Sequence, residues 1–159
     1  MKFVAPEHKL KSHGQLKNPT GIIVHATAGA SGQSSVEWLS RGSLGYAFII
    51  ERDGSVITCI PKELVAYHAG KSIGWDGPNC NSYTIGIAFA NMDNGRDPIT
   101  KAQLDTLAEL VADLKRKVPS LKYISTHKWV SPGRKVDPVL WSPTGTHFEG
   151  LEIWSGKEK

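Results

Sequence analysis

At 159 residues, with 40% hydrophobic and 21% charged side chains, the chain is long enough for one packed core and ordinary for a globular protein. Its formal charge of +4 favours an acidic partner, such as an anionic cell wall, nucleic acid or a membrane surface, without selecting one. Two cysteines exclude a disulfide framework, and the lack of any long apolar run excludes a membrane-spanning helix.

Residues 1–19 are polar and carry His8, His13 and several lysines. They read as a basic arm loosely attached to the body. No apolar segment follows the first lysines, so no signal peptide is expected. The chain is therefore expected to be made in a cytosol and to meet any target outside the cell only after release.

Gly21-Ile22-Ile23-Val24-His25 is a β-branched run that predicts a buried strand. It ends on His25 and opens into a loop of small residues, a common setting for a functional side chain, although for His25 taken alone a satisfied core histidine is the slightly better reading. Ser34-Ser35-Val36-Glu37 has the form of a capping box and predicts a short helix stopping at Gly42. Two apolar runs then flank Asp53-Gly54, a hairpin signal, and Pro61 should close the second strand.

Residues 67–82 form a Gly-, Asn- and Trp-rich stretch, long for a plain connection and therefore a candidate binding loop holding His68, Trp75 and Asn81. Tyr83 to Ala90 is nearly continuously apolar, which predicts a central strand covered on both faces. From Thr100 to Val118 the pattern is helical. Thr100 and Gln103 make a capping box, and Leu104, Leu107, Val111, Leu114 and Val118 recur on one face. A short strand from Leu121 to Thr126 should deliver His127. Trp141, Phe148 and Trp154 are expected to pack back on the body. The division expected is a single domain: arm 1–19, core 20–142, tail 143–159.

The segment from Thr126 to Pro138 gathers His127, Lys135 and Asp137 around the turn signal Ser131-Pro132-Gly133. Such a turn would fold Lys135 and Asp137 back toward His127. With His25, this makes two imidazoles and one carboxylate, a set that suits a catalytic zinc with one open position for water. No G-x-S-x-G elbow occurs, and neither Cys59 nor Cys80 sits in a recognisable nucleophile setting. Whether the two cysteines pair is left open by their spacing.

Taken in order, Ile23-Val24-His25, Gly45 to Ile50, Arg52-Asp53-Gly54, His68-Ala69-Gly70, Ile85-Gly86-Ile87 and His127 through Pro138 resemble the type-2 N-acetylmuramoyl-L-alanine amidases. These are zinc enzymes that share their fold with peptidoglycan-recognition proteins. The resemblance implies an α/β fold with a central mixed sheet flanked by helices, and a zinc ion on His25, His127 and Asp137. It implies that Lys135 stabilises the oxyanion of the attacked amide, and that Tyr46 matches a tyrosine beside the reacting water in phage enzymes. Other members carry a strand glutamate where this chain has Ala88. His68, with Trp75 and Asn81 in the same loop, is expected at the substrate. The implied partner is bacterial peptidoglycan, with no nucleic-acid partner and a monomeric state expected. Absence of the strand glutamate favours a phage or prophage endolysin. A cytosolic muropeptide-recycling amidase and a non-catalytic peptidoglycan-binding module are the alternatives.

Overall fold

The computed structural model describes residues 1–156; residues 157–159 of the expected tail lie outside the described residues. In chain order the strands are β1 (Phe3–Val4), β2 (Gly21–Ala26), β3 (Phe48–Ile50), β4 (Val56–Thr58), β5 (Ile73–Gly74), β6 (Gly77–Pro78), β7 (Thr84–Phe89), β8 (Tyr123–Thr126) and β9 (Glu152–Ile153). The helices are α1 (Gly32–Leu39), α2 (Lys101–Lys117) and α3 (His127–Val130). Seven strands form one sheet in the order β1-β4-β3-β7-β2-β8-β9, while β5 and β6 pair separately. The β3–β4 pair is antiparallel and the other pairings within the large sheet are parallel, so the sheet is mixed, as expected.

Strand periodicity sorts the core. Ile22 and Val24 of β2, with Ile85, Ile87 and Phe89 of β7, share a cluster with Leu107, Leu110, Val111 and Leu114 of α2. Val36 and Leu39 of α1 pack with Ile49, Ile57 and Ala88 on a second cluster. Ile23, one residue out of phase with Ile22, packs instead with Ala69, Cys80, Tyr83 and Val130. His25 shares the phase of Ile23, so it faces away from α2. The sheet thus separates a mainly apolar layer from the layer that carries the chemistry.

The hairpin turns at Gly54, whose φ of +89° belongs to the left-handed region and whose added Cβ would lie 3.0 Å from the Ala102 carbonyl. Thr100 caps α2 and Gln103 reciprocates, as the pattern predicts. Two details of the helices differ from expectation. The cap of α1 is Ser31, not Ser34: Ser31 is extended (φ −144°), its hydroxyl accepts from the Ser34 amide, and Ser34 returns the bond as the third helical residue. Glu37 is left to pair with Arg41. On α2, Leu104 is 39% exposed, because Gln103 occupies the buried position of that turn.

Gln103 has no exposed surface. Its Nε2 donates to the carbonyls of Ile50 (2.9 Å) and Ala90 (3.0 Å), closing the ends of β3 and β7, and its Oε1 accepts from the Thr100 amide. Replacing it with Leu removes all three bonds, although the Ile50 carbonyl keeps the one from the Ala90 amide. The expected cost is about 2–3 kcal/mol, read as a lower urea midpoint at unchanged slope.

The N-terminal arm is not loose. Phe3–Val4 adds a parallel edge strand to β4, and Leu10 and Leu16 are buried. Apolar residues spaced this widely carry no periodic signal, so the docking is invisible locally. At the other end, Phe148 enters the α2 cluster, Trp141 packs edge-on to Phe89, and Trp154 meets Trp75. Cys59 and Cys80 are both free.

Candidate active site

Three segments converge where β2 and β8 end. The buried strand β2 carries His25 with no exposed surface, and parallel pairing sets it level with Ala88 of β7. Strand β8 runs into α3, whose first residue is His127. After α3, the amides of Arg134 and Lys135 both donate to the Ser131 carbonyl, so the chain turns back. The Lys128 amide bonds the Asp137 carbonyl at 2.9 Å, fixing the return. The expected turn is present and brings Asp137 against both histidines.

Ligand atoms of His25, His127 and Asp137 lie within 4.8 Å of one another. The two Nδ1 atoms are 3.0 Å apart. Asp137 Oδ2 lies 3.6 Å from His25 Nδ1, and its Oδ1 lies 3.2 Å from His127 Nδ1. His127 Nε2 is 2.9 Å from the Ala69 carbonyl, which can only accept, so that nitrogen carries a proton and Nδ1 of the neutral ring keeps its lone pair. The same Ala69 carbonyl accepts from Arg134 Nη2 at 2.6 Å, tying the 69–71 loop to the turn after α3.

Burial, reinforced by the neighbouring His127, lowers the His25 imidazole to about 4, so it is neutral at neutral pH. Burial alone would raise the Asp137 carboxyl, but hydrogen bonding to His127 and His25 outweighs it and holds the group far below the usual carboxylate range. Two imidazoles, that of His25 held neutral by burial, and an ionised carboxylate therefore meet in one buried spot. This chemistry fits a divalent cation held by three protein atoms.

His127 and Asp137 line a groove of about 800 Å³, and the fully buried His25 lies behind them. Tyr46, Lys135, His68 and Arg134 also line it. Tyr46 lies 5.0 Å from His25, ring centre to ring centre. Burial, with the Asp137 and Asp93 carboxylates nearby, pushes its phenol well above its ordinary value. At neutral pH Tyr46 is a hydrogen-bond donor and not a base. Lys135 is exposed on the groove wall, and Trp38 and Val136 (65% and 66% exposed) give the rim an apolar character.

Of the three residues expected at the substrate, His68 lines the groove and the other two lie outside its lining. Trp75 lies outside the groove lining: its Nε1 donates to Thr20 Oγ1, and its ring stacks on Tyr123 and meets Trp154. Asn81 is buried, and its Oδ1 accepts from the amides of His68 and Ala69, pinning that loop. His68 does line the groove, yet both ring nitrogens are engaged, Nδ1 with His25 (2.9 Å) and Nε2 with Thr84 (3.1 Å). Apart from these, the groove holds Asp93, which no sequence signal singled out. It sits at φ +58°, and its Oδ1 accepts from the Val139 amide. Thr126 Oγ1, beside His127, is buried without a partner among the described residues. Burial raises both thiols, Cys59 to about 12, which removes them as nucleophiles.

Comparison with known proteins agrees with this geometry. The 1,6-anhydro-N-acetylmuramyl-L-alanine amidase AmpD of Citrobacter freundii is 33% identical over 142 residues, covering 77% of this chain and 75% of its own. The fold is similar to that of the endolysin amidase LysCS from Clostridium intestinale URNW (TM-score 0.66, 23% identity, 86% of each chain). It is also similar to PGRP-SA of Apis mellifera (TM-score 0.70, 16% identity, 95% of this chain and 98% of that one). With residues 15–139 matching the family model described as N-acetylmuramoyl-L-alanine amidase, the chain belongs to that family of peptidoglycan amidases.

Proposed function

We propose that the amidase is a zinc enzyme whose metal is held by His25 Nδ1, His127 Nδ1 and Asp137, and that it acts as a phage or prophage endolysin on the amide between N-acetylmuramic acid and L-alanine. The observation that carries the metal reading is the meeting of three lone-pair donors at one buried point. Zinc suits this mixed nitrogen and oxygen set. When bound, such an ion supplies Lewis acidity and lowers the pKa of water.

The chain's own residues supply the rest. Lys135, on the groove wall, places a cation where the amide oxygen gains negative charge. Tyr46, held protonated, donates a hydrogen bond that orients the attacking water. Ala88, level with His25, offers no carboxylate to that water. The apolar rim at Trp38 and Val136 gives sugar and peptide a surface to lie on. No helix among the described residues is long and apolar enough to cross a membrane.

The curated relatives, named as 1,6-anhydro amidases, favour a second reading: hydrolysis of small anhydro-muropeptides during recycling. One experiment separates the two. Purified protein is given intact sacculi and, separately, soluble anhydro-muropeptide, and the products are weighed by mass spectrometry. The endolysin reading requires stem peptides beginning at L-alanine to leave the sacculi. Cleavage of the soluble substrate alone selects recycling. An intact link in both substrates leaves only a binding role.

A further inference from the structure

We propose that Thr84 and His68 form a positioning relay that fixes the tautomer of His25, so that Nδ1 keeps its lone pair for the metal. The inference rests on the metal reading above and extends it to two residues outside the ligand set.

Proton bookkeeping along the hydrogen bonds carries the argument. The Thr84 hydroxyl is 2.7 Å from the Cys80 carbonyl. A carbonyl only accepts, so the single hydroxyl proton points there. Toward His68 Nε2, 3.1 Å away, the same hydroxyl can then only accept. His68 must carry its proton on Nε2, which leaves Nδ1 as an acceptor. His25 Nε2 lies 2.9 Å from that acceptor and therefore donates its own proton. The neutral His25 ring has no second proton, so Nδ1 is bare, and it is Nδ1 that faces His127 and Asp137. On the other side, His127 reaches the same state through a single bond to the Ala69 carbonyl. One ligand is set directly by the backbone and the other through two intermediaries.

The fold makes room for this relay. Gly86 of β7 lies under the His68 ring, and a Cβ added there would come within 2.6 Å of His68 Cγ. The Ile85-Gly86-Ile87 motif thus has a physical account: two apolar residues face α2, while the glycine between them seats the imidazole. Asn81 Oδ1 accepts from the amides of His68 and Ala69, which fixes the backbone that carries the ring. Thr84 is buried, as is His68, so no solvent competes for these bonds.

The test uses three variants and two readouts. Thr84→Val keeps shape and removes the acceptor, Thr84→Ser keeps the acceptor, and Gly86→Ala displaces the ring without removing a polar group. Zinc affinity is measured by competition with a chelating indicator. Thr84→Val and Gly86→Ala are expected to weaken zinc binding by about 10- to 100-fold, the usual range for a partner behind a ligand. Thr84→Ser should bind near the parent's affinity. Independently, nitrogen-15 spectra of the metal-free parent should show His25 protonated on Nε2, and Thr84→Val should lose that preference. A parent that binds no zinc sinks the metal reading, while the spectra still judge the relay. Parent affinity in Thr84→Val, or a His25 protonated on Nδ1 in the parent, overturns the relay.

Discussion

His127→Ala is expected to yield a folded protein that retains no zinc and no longer clears wall suspensions. His127 is one of three candidate donors, and two protein ligands are too few to retain a zinc ion through purification. Losing several kcal/mol of Lewis-acid stabilisation lowers the rate on the order of 10³-fold or more. The fold should survive, because the Ala69 carbonyl keeps its bond from Arg134 and the strands around the site are held by their own ladder. Metal analysis of the purified variant and turbidity loss are read together. Full lysis by a metal-free variant would show that the three side chains serve structure and not chemistry.

Lys135→Ala separates charge stabilisation from metal binding. Lys135 is exposed and enters no ion pair among the described residues, so its removal should change stability by no more than about 0.5 kcal/mol. Zinc content should be unchanged. The expected loss lies in kcat, about 10²- to 10³-fold, as for removal of one donor facing a developing oxyanion, with KM little altered. Lys135→Arg should recover part of the rate, since it restores charge with different reach and geometry. If Lys135→Ala instead raises KM at constant kcat, the lysine holds substrate and does not act on the transition state.

Legibility in the sequence followed the range of each interaction. Strand β2, the hairpin around Gly54, strand β7 and helix α2 each carry their own periodicity or turn chemistry, and they stand where that signal places them. The two-residue strands β1 and β9 exist only because β4 and β8 offer free edges, which no local pattern reports. The ligand set was visible as residue types and as their order along the chain. The metres of chain logic behind it were not: that Thr84 and Asn81 act on His68, or that one Ala69 carbonyl serves both His127 and Arg134, depends on contacts between distant segments. Trp75 was misread for a similar reason. A tryptophan in a glycine-rich loop resembles a sugar platform until Thr20, Tyr123 and Trp154 are seen to enclose it.

The partition made by the sheet has a practical corollary. Helix α2 lies behind a wall of strands, and its outward residues, among them Lys101, Asp105 and Glu109, face solvent far from any groove lining. Charge on that outer surface can therefore be changed without altering a residue of the reaction chamber, which leaves net charge and turnover open to separate adjustment.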